Sequence, residues 1–242
     1  MKTLFSLIAI LTISLPVFKN APAAKGKQII QKSIQKYDPD NKWPDLSMSV
    51  RFQEPRLSLA DRYSIVSMDH QSGSFKLERN REDKIATYIV DSDGKSKVLI
   101  DGLEEFPEAW KDKYRLHSNL PQIYKRSYFS MYGLPMTLNN DLIEEIHSVK
   151  KTSFQRQAAY QLEVTLKEPL FAKHWKIYFA KEDYTFLGLE MYDNKAEPNK
   201  GERLVFDSII EINGISIPRN KHWYDLSTNE FLGSDILISL LD

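Results

Sequence analysis

The hydrophobic period of the chain changes several times, and the changes divide it into elements. From Lys25 to Tyr37 the residues Ile30, Ile34 and Tyr37 recur at helical spacing, with Lys and Gln on the other side. This predicts an amphipathic helix. Asp38-Pro39 ends it, because the residue before a proline is pushed out of the α region. The period then drops to two. Leu46, Met48, Val50 and Phe52 alternate with Ser47, Ser49, Arg51 and Gln53, the pattern of a half-buried strand, and Pro55 ends the run. Similar patterning predicts strands near 62–69, 73–80, 84–91 and 95–101. Ser92-Asp93-Gly94 joins the last two and suits a hairpin turn.

Helical spacing returns in the middle. Pro107 opens a short stretch in which Trp110 and Tyr114 lie one turn apart. Asn119-Leu120-Pro121 offers a cap candidate followed by a first-turn proline. Ile123, Tyr124, Ser127, Tyr128 and Met131 then form one stripe, and Gly133 with Pro135 closes it in the order expected at a helix end. From Ile143 the alternation resumes, with strands predicted near 143–152, 159–167, 174–180, 185–192, 203–212, 215–224 and 231–239. Asn213-Gly214 between Ile212 and Ile215 is the strongest hairpin signal in the chain. Ser227-Thr228-Asn229-Glu230 is a looser one, and Pro218 marks an edge strand or a bulge.

The order is therefore helix, strands, a helical pair, strands. So many strands exceed what a flat twisted sheet carries, so the sheet should curl or close. The predicted fold class is mainly β (α+β): a single curled antiparallel sheet or half-open β-barrel of about 11 strands, with the first helix and the helical insert packed on the concave face. No internal repeat and no linker long enough to divide two domains is visible.

The leading residues read as an address. Lys2 precedes the apolar run Leu4–Phe18, which is broken by Pro16, and Ala21 and Ala23 fit a signal-peptidase site. This predicts a signal peptide over 1–23 and one β-rich domain over 24–242. The run is shorter than the roughly 20 apolar residues of a spanning helix, no cysteine stands at the cleavage site to carry a lipid, and no later stretch is long enough to span. The expected location is periplasmic or secreted, as a soluble protein with no transmembrane segment after cleavage.

Several segments together resemble an uncharacterised domain-of-unknown-function family of exported bacterial proteins, itself similar to the lipoprotein-carrier (LolA/LolB-like) fold. They are Tyr37-Asp38-Pro39 with Trp43, Tyr132-Gly133-Leu134-Pro135-Met136, Ile177-Tyr178-Phe179 leading to Leu189-Glu190-Met191-Tyr192, and Ile212-Asn213-Gly214-Ile215 with Pro218. Trp223-Tyr224 and Phe231-Leu232-Gly233-Ser234-Asp235 complete the set. Tyr37 stands where the first motif often has His. The resemblance implies a half-open barrel with helices over its mouth, as in carriers that shield acyl chains. It implies no enzymatic activity and carries over no binding residues.

Composition narrows the chemistry. The chain has 33 Lys+Arg against 33 Asp+Glu and no Cys. Loss of a signal would remove Lys2 and Lys19 and no acid, leaving a slight acidic excess. That balance argues against a nucleic-acid face, and the absent cysteines remove disulfides, thiolate metal sites and thiol nucleophiles. His70, His117, His147, His174 and His222 lie far apart in sequence with no ligand spacing, so they read as isolated surface residues and no metal site is expected. Asp38-Pro39-Asp40-Asn41 reads as a helix-stopping turn rather than a calcium loop. No G-x-S-x-G elbow and no phosphate-cradling glycine loop is present, and no cofactor is expected.

What remains is aromatic surface. Trp175 and Phe179 share one face of a strand with Ile177, while Tyr124, Tyr128, Met131 and Tyr132 line the helical insert, with Trp110 before them and Met136 after. Such residues either pack helix onto sheet or edge an apolar cavity. The leading expectation is a non-enzymatic protein binding a lipid or acylated protein between sheet and insert, through Trp110, Tyr124, Tyr128, Met131, Tyr132, Met136, Trp175 and Phe179. A protein-binding envelope module and an unrecognised hydrolase are the alternatives.

Overall fold

The computed structural model describes residues 21–139 and 141–241. Residues 1–20, which carry most of the predicted export signal, lie outside the described residues. The first element, α1 (Ala21–Tyr37), begins about one turn earlier than the spacing suggests. It ends where expected: Asp38 is buried, and its carboxylate accepts the backbone N–H groups of Lys42 and Trp43, both at 2.8 Å. The acid therefore fastens the 3-10 turn Trp43–Asp45 and has no part in a metal loop.

Twelve strands follow, with two helices between the fifth and sixth. They are β1 (Ser47–Gln53), β2 (Tyr63–Asp69), β3 (Phe75–Arg81), β4 (Lys84–Val90), β5 (Ser96–Ile100), α2 (Trp110–Tyr114) and α3 (Leu120–Tyr132). The second run is β6 (Ile143–Phe154), β7 (Gln157–Leu170), β8 (Ala172–Ala180), β9 (Phe186–Tyr192), β10 (Glu202–Ile212), β11 (Ile215–Asp225) and β12 (Phe231–Leu240). All belong to one antiparallel sheet in the order β5-β4-β3-β2-β1-β12-β11-β10-β9-β8-β7-β6. Two meanders, β1–β5 and β6–β12, are thus joined along a seam where β1 pairs with β12. The sheet is curled and unclosed, with β5 and β6 as free edges, and α2 and α3 carry the chain from one edge to the other.

The alternation in sequence maps onto the two faces. In β1, Met48, Val50 and Phe52 are buried while Ser47, Arg51 and Gln53 are exposed. The inner face collects Val66, Leu77, Trp175, Ile177 and Leu189, all fully buried. On the outer face Glu163, Lys176, Glu190 and Arg203 are successive cross-strand neighbours on β7, β8, β9 and β10. Arg203 Nε donates to Glu190 at 3.0 Å and Lys176 lies 3.5 Å from it, so alternating charge stitches the solvated side.

The helices divide the inner face: α1 packs on β6 and β11, and α3 on β3, β4 and β5. Tyr37, at the end of α1, is buried and accepts the Phe186 N–H at 3.2 Å. Burial pushes its hydroxyl up to about 12 despite that hydrogen bond. Two of the motifs meet in space. A Cβ on Gly133 would come within 2.6 Å of the Trp43 indole, so only glycine lets the end of α3 settle there. Asn213 and Gly214 both have positive φ, 54° and 83°, as a two-residue I′ hairpin demands. Pro218 lies on an interior strand, but the β12 pairing of β11 begins only at Asn220, so locally it is an edge position. No helix among the described residues is long and apolar enough to cross a membrane.

Candidate functional site

The inner face of β1 does not end with its last apolar residue. Glu54 continues the inward phase of Met48, Val50 and Phe52, and it is 2% exposed. On β3, Arg79 continues the phase of Phe75 and Leu77 and is 4% exposed. Arg79 Nη2 donates to Glu54 Oε1 at 2.8 Å and to the Tyr128 hydroxyl at 2.5 Å. Tyr128 donates to Glu54 Oε1 at 3.0 Å. The other carboxylate oxygen accepts from Ser64 at 2.8 Å and Arg62 Nε at 3.1 Å. Burial alone would raise the Glu54 carboxyl, but the two guanidiniums and the hydrogen bonds outweigh it and bring it down to about 2. Tyr128 moves the other way, raised chiefly by burial.

A second charged group lies across the seam on the same face. Asp235 Oδ1 accepts from Arg56 Nη2 at 2.5 Å and its Oδ2 from the Trp223 indole at 2.8 Å. Arg56 also donates to the Ser234 carbonyl at 2.6 Å. Gly233 permits this crossing, because a Cβ there would lie 2.5 Å from the Pro55 carbonyl oxygen. Lys221 stands opposite Asp235 in the β11–β12 register and is 2% exposed. Its ammonium nitrogen lies 2.8 Å from the centroid of the Tyr132 ring. Tyr132 in turn stacks on Tyr128, with centroids 5.0 Å apart, and meets Phe52 at a tilt with centroids 4.3 Å apart.

Between these groups and α3 is a cavity of about 400 Å3. One wall is aromatic and apolar, formed by Tyr124, Tyr128, Met131 and Tyr132 of α3. The opposite wall carries the buried charges. At the mouth, Ile123 and Phe171 are 49% and 54% exposed, and Phe171 leans edge-on against Trp223. Other depressions exist, including one of about 710 Å3 beside Trp43, His70 and Phe129. The α3 cavity combines an apolar wall with convergent buried charged groups, the usual character of a ligand site.

Of the eight residues selected from sequence, Tyr124, Tyr128, Met131 and Tyr132 line this cavity. Met136 lines the depression beside Trp43 instead. Trp175 and Phe179 are fully buried in the closed core under α1, where Phe179 packs on Phe186 at 5.6 Å. Trp110 packs on Tyr114 at 5.5 Å, away from the cavity.

The histidines are less isolated than their sequence spacing suggests. His147 and His174 share the Thr165 hydroxyl, at 2.6 and 3.1 Å. His70 is sandwiched between Trp43 and Phe129. His222 lies between Ser234 at 2.7 Å and Asp207 at 3.0 Å. That trio has the residue types of a hydrolytic triad, but it sits on the outer face and lines no part of the α3 cavity. Ser234 is buried, and its N–H is committed to the Pro55 carbonyl. Among the described residues no group of three or more His, Asp or Glu is placed to hold a metal ion.

Comparison with known proteins fixes the family. A model described as "Family of unknown function (DUF6503)" matches residues 2–239. The chain belongs to that family. A solved LolA superfamily protein from Nitrosomonas europaea is similar in structure, with a TM-score of 0.52 at 10% identity, covering 88% of this chain and 91% of that one. A DUF1329 family protein from Desulfovibrio piger matches more loosely, with a TM-score of 0.46 at 12% identity and the same coverage. No curated protein matches the chain in sequence. The expected architecture, a curled half-open sheet with helices on its inner face and a LolA-like fold, is the one observed, with twelve strands.

In this DUF6503 member, the sequence reading missed Glu54, Arg79, Lys221 and Asp235. Charged residues on strands normally mark the solvated face. The available signal was phase, since Glu54 and Arg79 extend the inward alternation of their own strands, and Asp235 falls in phase with buried Leu237.

Proposed function

We infer that this protein is a non-enzymatic, exported binding protein that shelters one apolar or amphipathic molecule, a lipid or an acylated chain, between its sheet and α3. The observation that carries this reading is the cavity of about 400 Å3 with an aromatic wall and an apolar mouth. That volume falls within the range of about 300–1,000 Å3 typical of small-ligand sites. Each methylene moved from water into it would contribute about 0.8 kcal/mol, and the exposed Ile123 and Phe171 give an entering chain an apolar threshold. The LolA-like architecture supports the same reading.

Addition of a partner strand to the sheet edge is less favoured. The long edge strand β6 exposes Glu144, Glu145, Lys150 and Lys151, charges that discourage pairing. Native mass spectrometry of protein purified from its host, together with displacement of a polarity-sensitive fluorophore by added lipids, tests the binding function. A retained apolar ligand and saturable displacement are expected. Absence of both would overturn the reading. Export is tested separately by N-terminal sequencing of the periplasmic or secreted form, which should begin near Ala24.

A further inference from the structure

The charges of the α3 cavity do not cancel. Its lining holds five basic side chains against three acids, and the acids most deeply buried are already taken. Glu54 accepts from Arg79, Arg62, Ser64 and Tyr128. Asp235, the residue directly across from Lys221, spends one oxygen on Arg56 and the other on Trp223. Glu202 also lines the cavity, and burial raises its carboxyl above the ordinary value against the pull of Arg56. Lys221 is left over: its nitrogen has no hydrogen-bond partner among the described residues, and only the face of Tyr132 attends it.

A ring face attracts a cation but is a poor substitute for oxygen acceptors. An amine buried without an acceptor is strongly unfavourable if charged. Replacement by a methionine would remove that cost, yet the lysine stands on the cavity wall. We propose that the cavity takes a single-chain amphiphile with one anionic head, of the fatty-acid class, its carboxylate displacing the Tyr132 ring that covers the Lys221 nitrogen and its hydrocarbon along Tyr124, Tyr128 and Met131. This deepens the binding function inferred above and rests on it. One unpaired buried amine matches one negative charge. Burial holds the free amine well below its ordinary value, opposed by Asp235 and Glu54. A carboxylate beside the amine would favour its charged form.

The test compares oleate with oleyl alcohol, which has the same tail and no charge, as competitors for a bound fluorophore. Wild-type protein should bind oleate roughly tenfold more tightly, the value of one charge-assisted hydrogen bond. Lys221→Met should keep the alcohol affinity, lose the preference and melt no lower than wild type. Lys221→Arg should retain a preference for oleate. Acetate and inorganic phosphate, which lack a tail, should not compete. Equal affinity of wild type for oleate and the alcohol, or a preference that survives in Lys221→Met, would overturn the anionic-head assignment and leave apolar binding standing. If neither long-chain molecule binds, the binding function itself fails.

Discussion

Glu54 shows how much one residue can hold. Its carboxylate joins three strands and α3 through Arg79, Arg62, Ser64 and Tyr128. Glu54→Gln would leave the buried Arg79 guanidinium without its counter-charge, and loss of one partner of a buried pair costs about 3–5 kcal/mol. A corresponding drop in chemical-denaturation stability at neutral pH is the expected result. The pH dependence has a definite sign. The folded carboxyl sits at about 2, below its ordinary 4.5. Its stabilisation is therefore full above about 4.5, weakens as acid begins to protonate the unfolded chain, and is gone below about 2. Denaturation midpoints measured across that window should fall in the wild type and flatten in Glu54→Gln.

At the scale of elements, the strands and helices were legible because each buries one face. Period two in β1 and helical spacing in α1 and α3 are direct records of that burial, and the Asn213-Gly214 turn is fixed by its two positive φ angles. Four of the eight aromatic and methionine choices fell in the cavity because they share the inner stripe of α3. Trp175 and Phe179 were misdirected because alternation says which residues face inward and not which inward region stays open. That depends on where α1 and α3 rest, a tertiary matter. The buried charges are hidden for a different reason: charge on a strand ordinarily marks the solvated face, and only the phase of Glu54 and Arg79 says otherwise. The α3 terminus gives a sharp test. Gly133→Ala places a methyl against the Trp43 ring with no backbone strain, since its φ is −85°. Overpacking of this kind costs about 1–3 kcal/mol, so a lower melting temperature is expected, with partial recovery when Trp43 is replaced by a smaller aromatic such as Phe, because the Thr137 methyl crowds the same space.

For the whole molecule, α3 forms one wall of the site. It is tied to the sheet at its first turn and its middle: Gln122 donates to Gly94 O at 3.0 Å and to Ser96 at 2.9 Å, and Arg126 pairs with Glu168 at 3.1 Å. The chain has no cysteine, so cysteines placed at Gln122 and Ser96 can be bridged cleanly by a short bis-maleimide. The bridged protein should exchange a bound fluorophore more slowly than the unbridged one, with little change in melting temperature. Equal exchange rates would place the entrance elsewhere.

The seam between β1 and β12 has a kinetic consequence. Each meander is built from neighbouring hairpins, whereas Val50 and Leu240 meet across about 190 residues of chain. Loop closure of that length delays pairing relative to local contacts, so the two meanders should form first and dock late. Glu54 and Arg79 belong to one meander, Lys221 and Asp235 to the other. The cavity is then the last region of the protein to be assembled, and pulsed hydrogen exchange during refolding should find the amides that bond between β1 and β12 protected after those of the β7–β8 and β10–β11 hairpins.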